Sequence, residues 1–85
     1  MSEPRVFQVY SKNQFEIHTD DAHIFQSYKS VIVKKDYITN KIYLDEIYWN
    51  YSRTTSKYRN KFLCGDTKSV LAKIKSGTYI LTNLN

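Results

Sequence analysis

Side chains suited to binding an anion are concentrated in one part of the sequence, between Trp49 and Leu63. Hydroxyl and basic residues are interspersed there, in the order Ser52, Arg53, Thr54, Thr55, Ser56, Lys57 and Arg59. Serine and threonine favour the start of a helix, because their side-chain oxygens accept hydrogen bonds from unpaired backbone N–H groups. A helix N-terminus also presents free N–H groups and the positive end of the helix dipole. The segment therefore predicts a site suited to an anion such as phosphate.

The predicted ligand site joins these polar side chains with two aromatic residues that precede them. Its members are Trp49, Tyr51, Ser52, Arg53, Thr54, Thr55, Lys57 and Arg59. Arginine presents a planar fork that matches phosphate oxygens, and an aromatic ring stacks on a nucleotide base. In a simpler interpretation one hydroxyl caps the helix, the aromatic residues belong to the core, and Arg59 pairs with an acid such as Asp45. Capping uses a single hydroxyl, whereas this segment has four hydroxyl residues beside three cations, which favours the ligand site.

His18 and His23 are separated by a predicted turn that contains Asp20 and Asp21. Imidazole and carboxylate groups are metal ligands, so these four residues could together bind a divalent ion. Two histidines and two aspartates on a solvated loop more often bind none. The sequence is therefore interpreted as having no metal site.

Residue patterns typical of catalysis or cofactor binding are missing from the sequence. Cys64 is the single cysteine; it is distant in sequence from both histidines and ends a predicted helix, where a buried apolar role is expected. Gly65 and Gly77 are the two glycines, and they form no phosphate-loop or dinucleotide motif. We therefore expect a protein that is not an enzyme and has no cofactor.

The elements that must hold the predicted site follow from hydrophobic periodicity and turn residues. Alternating and β-branched segments predict strands at residues 6–10, 15–18, 23–35 (one strand or two) and 41–45, and residues 78–84 are expected to return as a short strand or a packed tail. The strand at 41–45 is expected either to continue to a point near Trp49 or to bend away before it. A short hairpin loop is expected at residues 36–40.

Two helices are predicted after the sheet. The first runs from about Thr54 to Cys64, buries Tyr58 and Phe62, and ends at Gly65 in a left-handed conformation. The second is capped by Asp66 and stops at Gly77. The fold class is therefore α+β, with a small, mainly antiparallel sheet followed by two C-terminal helices and a short final strand.

Length and charge limit the possible functions. Eighty-five residues form one domain, residues 1–85, with one core. Residues 53–75 hold seven basic residues and one acidic residue, whereas residues 1–52 hold six basic and seven acidic residues, so the positive charge lies in the helical part. Such a surface attracts anions. No apolar run is long enough to cross a bilayer and no hydrophobic signal segment is present, so we expect a cytoplasmic protein without a membrane partner.

The spaced residues of the central segment also resemble a known signature. The residues in question are Trp49, Tyr51, Ser52, Thr54, Thr55, Lys57, Tyr58, Arg59, Phe62 and Leu63. They are similar to a pattern Trp-x-Tyr-Ser-x-Thr-Thr-x-Lys-Tyr/His-Arg-x-x-Phe-Leu in small uncharacterised proteins of bacteriophages and mobile elements. The resemblance spans roughly residues 15–85. It implies a bacterial host cytoplasm, where such proteins often counter host defence by blocking an effector or sequestering its nucleotide signal.

Three functions remain open from the sequence. In the first, the protein binds a phosphorylated small ligand such as a nucleotide and sequesters a defence signal. In the second, the basic helices bind a nucleic-acid backbone. In the third, the protein caps and inhibits a host defence enzyme. The concentrated anion site favours the first, and a homo-oligomer is compatible with all three.

Overall fold

A computed structural model describes residues 4–9 and 12–85 of the protein. Five strands are followed by two helices and a final strand, in the order β1 (Arg5–Gln8), β2 (Gln14–His18), β3 (Ala22–Ser27), β4 (Ser30–Asp36), β5 (Lys41–Asp45), α1 (Arg53–Leu63), α2 (Thr67–Ser76) and β6 (Tyr79–Thr82). The six strands form one sheet in sequence order. Neighbours from β1 to β5 are antiparallel, and β6 returns beside β5 in parallel after the two helices. The predicted α+β fold class is confirmed.

Tight turns connect the strands where single residues adopt a left-handed conformation. Asn13, Tyr28 and Asn40 have φ values of 68°, 56° and 58°. Asparagine tolerates this conformation, whereas a bulky tyrosine in it is an outlier. The turn at Tyr28 divides the predicted 23–35 segment into β3 and β4. Residue 10, at the end of the predicted first strand, lies outside the described residues.

The chain bends away from the sheet directly after β5. Of the two alternatives predicted for residues 46–49, the bend is therefore the one that is confirmed. The Asp45 carboxylate causes the bend, because Oδ2 accepts hydrogen bonds from the backbone N–H groups of Ile47 and Tyr48 at 3.1 and 2.9 Å. A strand that reaches Trp49 is therefore not formed. The side chain of Asp45 replaces the partner strand as the acceptor for these N–H groups.

Side chains at the helix termini set the helix limits. Ser52 caps α1 by accepting a hydrogen bond from the N–H of Thr55, and Asp66 and Ser69 form a reciprocal capping box at the start of α2. The predicted caps at Asp66 and Gly77 are confirmed. The left-handed position that ends α1 is occupied by Cys64, with φ of 58°, and not by Gly65 as predicted.

The core lies between the sheet and the two helices. It consists of Phe25, Ile32, Val33, Leu44, Phe62, Leu63, Val70 and Tyr79. Phe62 stacks on Phe25 with ring centroids 5.6 Å apart, so its predicted burial against the sheet is confirmed. Tyr58 is only partly buried and packs at the edge of the core. Cys64 is exposed, so the expectation of a buried cysteine was wrong.

Candidate functional site

A pocket lies beside the start of helix α1. Its volume is about 430 Å³, and it is formed between the β3–β4 turn, strand β4, the bend after β5 and the first turn of α1. The lining residues are Ser27, Tyr28, Lys29, Ser30, Ile32, Tyr48, Tyr51, Ser52 and Thr55. Four of them are serine or threonine residues with aliphatic hydroxyl groups, three are tyrosines and one is a lysine. The pocket therefore combines apolar ring surface with hydrogen-bonding groups, as small-molecule sites do.

Three hydroxyl groups form a connected cluster at the base of this pocket. Ser52 Oγ donates to Thr55 Oγ1 at 3.1 Å, and Thr55 Oγ1 lies 3.4 Å from Ser27 Oγ. Thr55 and Ser27 are each only 3% exposed. A hydroxyl can rotate to donate or to accept, so this cluster can adapt to an incoming oxygen.

The start of α1 adds backbone donors to the same region. Of the first N–H groups of the helix, that of Thr55 bonds to Ser52 Oγ and that of Ser56 bonds to Ser52 O. The N–H groups of Arg53 and Thr54 have no hydrogen-bond acceptor within the described part of the chain. No acidic residue occupies the first turn of α1. The positive end of the helix dipole is therefore not neutralised by a neighbouring carboxylate of its own helix.

Aromatic rings border the opening of the pocket. Tyr28 and Tyr51 are 56% and 70% exposed, so much of each ring is accessible to a ligand. Tyr51 meets Tyr48 edge-on, with centroids 5.5 Å apart. Lys29 follows Tyr28 in the turn and also lines the pocket. A planar ring and an anionic group could both be recognised here.

The structure brings together only part of the predicted ligand site. Of the eight predicted residues, Tyr51, Ser52 and Thr55 line the pocket. The side chains of Arg53, Thr54 and Lys57 are exposed on α1 but do not line it. Trp49 and Arg59 do not line it either, and Trp49 packs against the core.

Arg59 has a structural role in place of the predicted phosphate contact. Its side chain is fully buried, and its N–H groups donate to the carbonyl oxygen of Trp49, to Asn50 Oδ1, twice to Asn60 Oδ1, and to Thr67 Oγ1 at 2.6 to 3.2 Å. These five bonds use the five donors of a guanidinium group. They connect the bend after β5 with both helices, so Arg59 positions the chain that leads into the pocket.

Burial lowers the pKa of the Arg59 guanidinium from its ordinary value, because the charged form is desolvated. Arginine nevertheless keeps its charge in proteins. No carboxylate of the described residues forms an ion pair with it. The suggested pairing with Asp45 is not formed, since the two oxygens of Asp45 accept bonds from residues 47, 48 and 84.

Sequence reasoning missed six of the residues that line the pocket. They are Ser27, Tyr28, Lys29, Ser30, Ile32 and Tyr48. Five of them lie in or beside the β3–β4 turn, inside the 23–35 segment, whose pattern predicts one strand or two. A signal was present, because two strands over 23–35 require a turn near its middle, and that turn must carry exposed side chains.

His18 and His23 form a second cluster that differs from the predicted loop. The two histidines are opposite each other on β2 and β3, with ring centroids 4.1 Å apart, and both contact Glu16. Asp20 and Asp21 are exposed in the turn and are not part of it. The predicted strands at 15–18 and 23–35 already include both histidines, and the structure confirms this position at the strand ends. The solvated loop contains only the two aspartates of the predicted group, so the four residues do not form one loop site.

A family model of a family of unknown function (DUF8033) matches residues 5–77. The chain belongs to this family. The match covers all five strands of the antiparallel part of the sheet and both helices, up to Gly77. No curated protein and no solved structure matches the chain significantly. The family description gives no activity, so the resemblance to proteins of bacteriophages and mobile elements stays a prediction. None of the helices in residues 4–9 and 12–85 has the length and apolarity needed to cross a bilayer.

Proposed function

We propose that this DUF8033 protein binds a small phosphorylated ligand, such as a nucleotide, in the pocket at the start of α1. One observation carries the proposal: the pocket combines exposed tyrosine rings, a hydroxyl cluster, a lysine and the N-terminus of a helix. Helix N-termini attract phosphate because oriented N–H groups and the dipole both favour negative charge. Tyrosine rings provide the stacking surface that a nucleotide base needs.

Each part of the pocket has a separate role in this proposal. The hydroxyl of Ser52, which lines the pocket, binds a phosphate oxygen. The N–H groups of Arg53 and Thr54, which adjoin the pocket at the start of α1 without lining it, bind phosphate oxygens that extend beyond it. Lys29, in the β3–β4 turn, contributes a positive charge. Tyr28 or Tyr51 stacks on the base. Arg59 acts indirectly, by holding the chain that carries these groups.

The chemistry of the lining favours binding over catalysis. None of the nine described lining residues is a histidine, a cysteine or a carboxylate. General acid–base catalysis near neutral pH depends chiefly on such groups. We therefore propose an accessory protein that retains its ligand unchanged, in a bacterial cytoplasm, and that sequesters a nucleotide defence signal.

The experiment is a thermal-shift and calorimetric screen of nucleoside mono-, di- and triphosphates, cyclic nucleotides and the matching nucleosides. A ligand that binds the native state raises the melting temperature by mass action. We expect stabilisation by at least one phosphorylated compound and none by its nucleoside. Stabilisation by neither, at millimolar ligand, would contradict the proposal.

Matched variants locate the binding site. Lys29→Met removes the lysine of the pocket, and Thr55→Val removes one hydroxyl while keeping the side-chain volume. Lys68→Met is the control, because Lys68 is an exposed lysine on α2 that does not line the pocket. We expect each of the first two variants to weaken binding at least about fivefold, because the loss of one hydrogen bond costs about 1 kcal/mol. The control should bind like the parent.

Nucleic-acid binding is the second candidate, and one observation favours it. Six of the seven basic residues in the 53–75 segment are exposed on the helices: Arg53, Lys57, Lys61, Lys68, Lys73 and Lys75. If they contact a phosphate backbone, the affinity for any oligonucleotide should fall steeply as salt is raised. In the nucleotide proposal, oligonucleotide binding at physiological salt is absent.

A further inference from the structure

Three potential metal ligands converge on one face of the β2–β3 hairpin. Glu16 and His18 are two residues apart in β2, so their side chains lie on the same face of the sheet. His23 is the direct cross-strand partner of His18. Register alone therefore brings a carboxylate and two imidazoles together.

The donor atoms of these side chains lie close enough to share one ion. Glu16 Oε1 lies 2.6 Å from His23 Nε2 and 3.6 Å from His18 Nε2. All three donor atoms lie within 4.8 Å of one another. Metal–ligand distances of about 2.0–2.1 Å in a tetrahedral zinc site correspond to ligand–ligand distances of about 3.3 Å. Shifts of these donor atoms by roughly an ångström would bring them to that spacing.

Aromatic neighbours limit the orientations that the two imidazoles can adopt. Phe7 meets the His18 ring edge-on at 5.4 Å and an interplanar angle of 81°, and Phe62 lies against the His23 ring at 4.7 Å. The side chains of His18, His23 and Glu16 are 33%, 20% and 18% exposed. The ligands are therefore held on a rigid sheet in a partly dry environment, which lowers the cost of organising a site.

Space for a further ligand lies next to this cluster. Glu16 and His18 line an open groove together with Arg5, Phe7, Gln8 and Val9. Three protein ligands and an accessible neighbouring groove leave room for a water molecule or a bound anion as a fourth ligand. The groove is separate from the pocket at α1, since the two share no lining residue.

We propose that Glu16, His18 and His23 bind one divalent transition-metal ion, with Zn²⁺ as the reference ion. Two imidazole nitrogens and one carboxylate suit Zn²⁺ and its neighbours, whereas Mg²⁺ and Ca²⁺ favour sets of oxygen ligands. This site takes a cation and so is independent of the anion pocket. The competing explanation is a hydrogen-bonded cluster in which Glu16 alone joins the two histidines.

The first experiment uses tag-free protein that has been treated with a chelator. Zn²⁺ is titrated by calorimetry with Mg²⁺ as the negative arm, and Co²⁺ is added as a spectroscopic probe. We expect one Zn²⁺ per chain, a raised melting temperature, and visible Co²⁺ absorption of the intensity that four or five ligands produce. Heat of Zn²⁺ binding equal to that of Mg²⁺, with a Co²⁺ spectrum like that of the hydrated ion, would overturn the proposal.

The second experiment needs no variant. The chain contains two histidines, so its imidazole signals in a nuclear magnetic resonance spectrum belong to His18 and His23. We expect the signals of both rings to shift together as Zn²⁺ approaches one equivalent. A shift of one ring, or of neither, contradicts the site even if Zn²⁺ binds elsewhere.

Substitutions then assign the ligands. Glu16→Gln, His18→Gln and His23→Gln should each lower the Zn²⁺ affinity by at least tenfold, the lower limit for loss of even an outer-shell partner. Asp20→Asn and Asp21→Asn are matched controls, because these carboxylates lie in the adjoining turn but outside the cluster. Retained affinity in the three ligand variants, or an equal loss in the controls, would overturn the assignment.

Discussion

The two candidate sites lie at opposite ends of helix α1 and are proposed to bind ions of opposite charge. At the N-terminal end, Ser52 and Thr55 contribute to a broad pocket with hydroxyl, ring and N–H groups. At the C-terminal end, Phe62 supports His23 in a compact group of three metal-ligand side chains. The difference follows from how each was assembled: the pocket from a helix start and two turns, the cluster from the register of a hairpin.

This contrast predicts that the two sites can be damaged separately. A turn can be altered without changing the pairing of β2 and β3, and a side chain in β2 can be changed without moving the start of α1. Substitutions in α1 itself are different, because this helix packs against both regions.

Phe62→Ala should have the largest effect, because it empties a core position. Phe62 is 4% exposed, stacks on Phe25, and lies beneath the ammonium group of Lys35, 4.4 Å from its ring centroid. Removing it should lower the free energy of unfolding by about 3–5 kcal/mol, measured by urea denaturation. Phe62→Leu is the matched control and should lose less. A loss below about 1 kcal/mol in Phe62→Ala would show that the Phe62 side chain does not fill a core position.

Arg59→Met should be the next most damaging change, and it separates a positioning role from a ligand contact. It removes the donor to the carbonyl oxygen of Trp49 and to Asn60 Oδ1, which should cost about 3 kcal/mol of folding stability. Asn50 Oδ1 and Thr67 Oγ1 lose one of two donors and keep the bonds from Ser56 and Asn60. Lys57→Met, on the exposed side of the same helix, should stay within about 0.5 kcal/mol of the parent. Both variants are compared with the parent by urea denaturation.

The conservative variant decides between the two roles of Arg59. Arg59→Lys keeps the charge but loses the planar fork. If the fork anchors the chain, Arg59→Lys is destabilised almost as much as Arg59→Met. A variant as stable as the parent that loses ligand binding would instead restore the predicted phosphate contact.

Asp45 connects the bend after β5 to the C-terminal end of the sheet and should make stability depend on pH. Burial raises the pKa of the Asp45 carboxyl, but hydrogen bonds from the backbone N–H groups of Leu84, Tyr48 and Ile47 and from the Asn85 side chain outweigh burial. The pKa in the folded state is therefore lowered from its ordinary value. The stabilisation that the Asp45 carboxylate provides is therefore complete above the unfolded-state pKa of about 3.9. It is lost as the pH falls through the lowered folded-state pKa.

Asp45→Asn tests this linkage. It should lower the free energy of unfolding at neutral pH by about 1–3 kcal/mol, because a buried acceptor is replaced by an amide that cannot accept at both positions. Its stability should then change less than that of the parent between pH 5 and 2, measured by urea denaturation at each pH. Glu46→Gln, which removes the adjacent exposed carboxylate, is the control. Equal acid profiles for Asp45→Asn and the parent would contradict the assignment.

Tyr28→Gly should have the smallest effect on stability and a clear effect on binding. Tyr28 has a left-handed backbone that glycine adopts without strain, and its ring is 56% exposed. The variant should therefore be as stable as the parent or gain up to about 1 kcal/mol, while its affinity for the phosphorylated ligand falls. Asn40→Gly, at a left-handed position outside the pocket, is the control and should bind like the parent. Unchanged binding by Tyr28→Gly would remove its ring from the proposed site.

Local rules correctly predicted most of the elements of this fold. The strand at 41–45, the cap at Asp66 and the stop at Gly77 each depend on residues that are neighbours in sequence. The helix start at Ser52 also depends on residues that are neighbours in sequence. The same local preference is the reason why Ser52 and Thr55 belong to the predicted ligand site. Cys64 shows the limit of such rules, because a preference for glycine at the left-handed position did not decide which residue takes it.

The sequence by itself determined the type and order of the elements, because periodicity, caps and turn residues act over a few positions. The tertiary structure alone decided which side chains meet. Arg59 is a good phosphate ligand by chemistry, but folding surrounds it with acceptors and buries it. Glu16 and the two histidines become neighbours through the pairing of β2 with β3, and Lys29 reaches the pocket only because β4 returns beside β3. Contacts of this kind depend on register and packing across the whole sheet, which no short segment specifies.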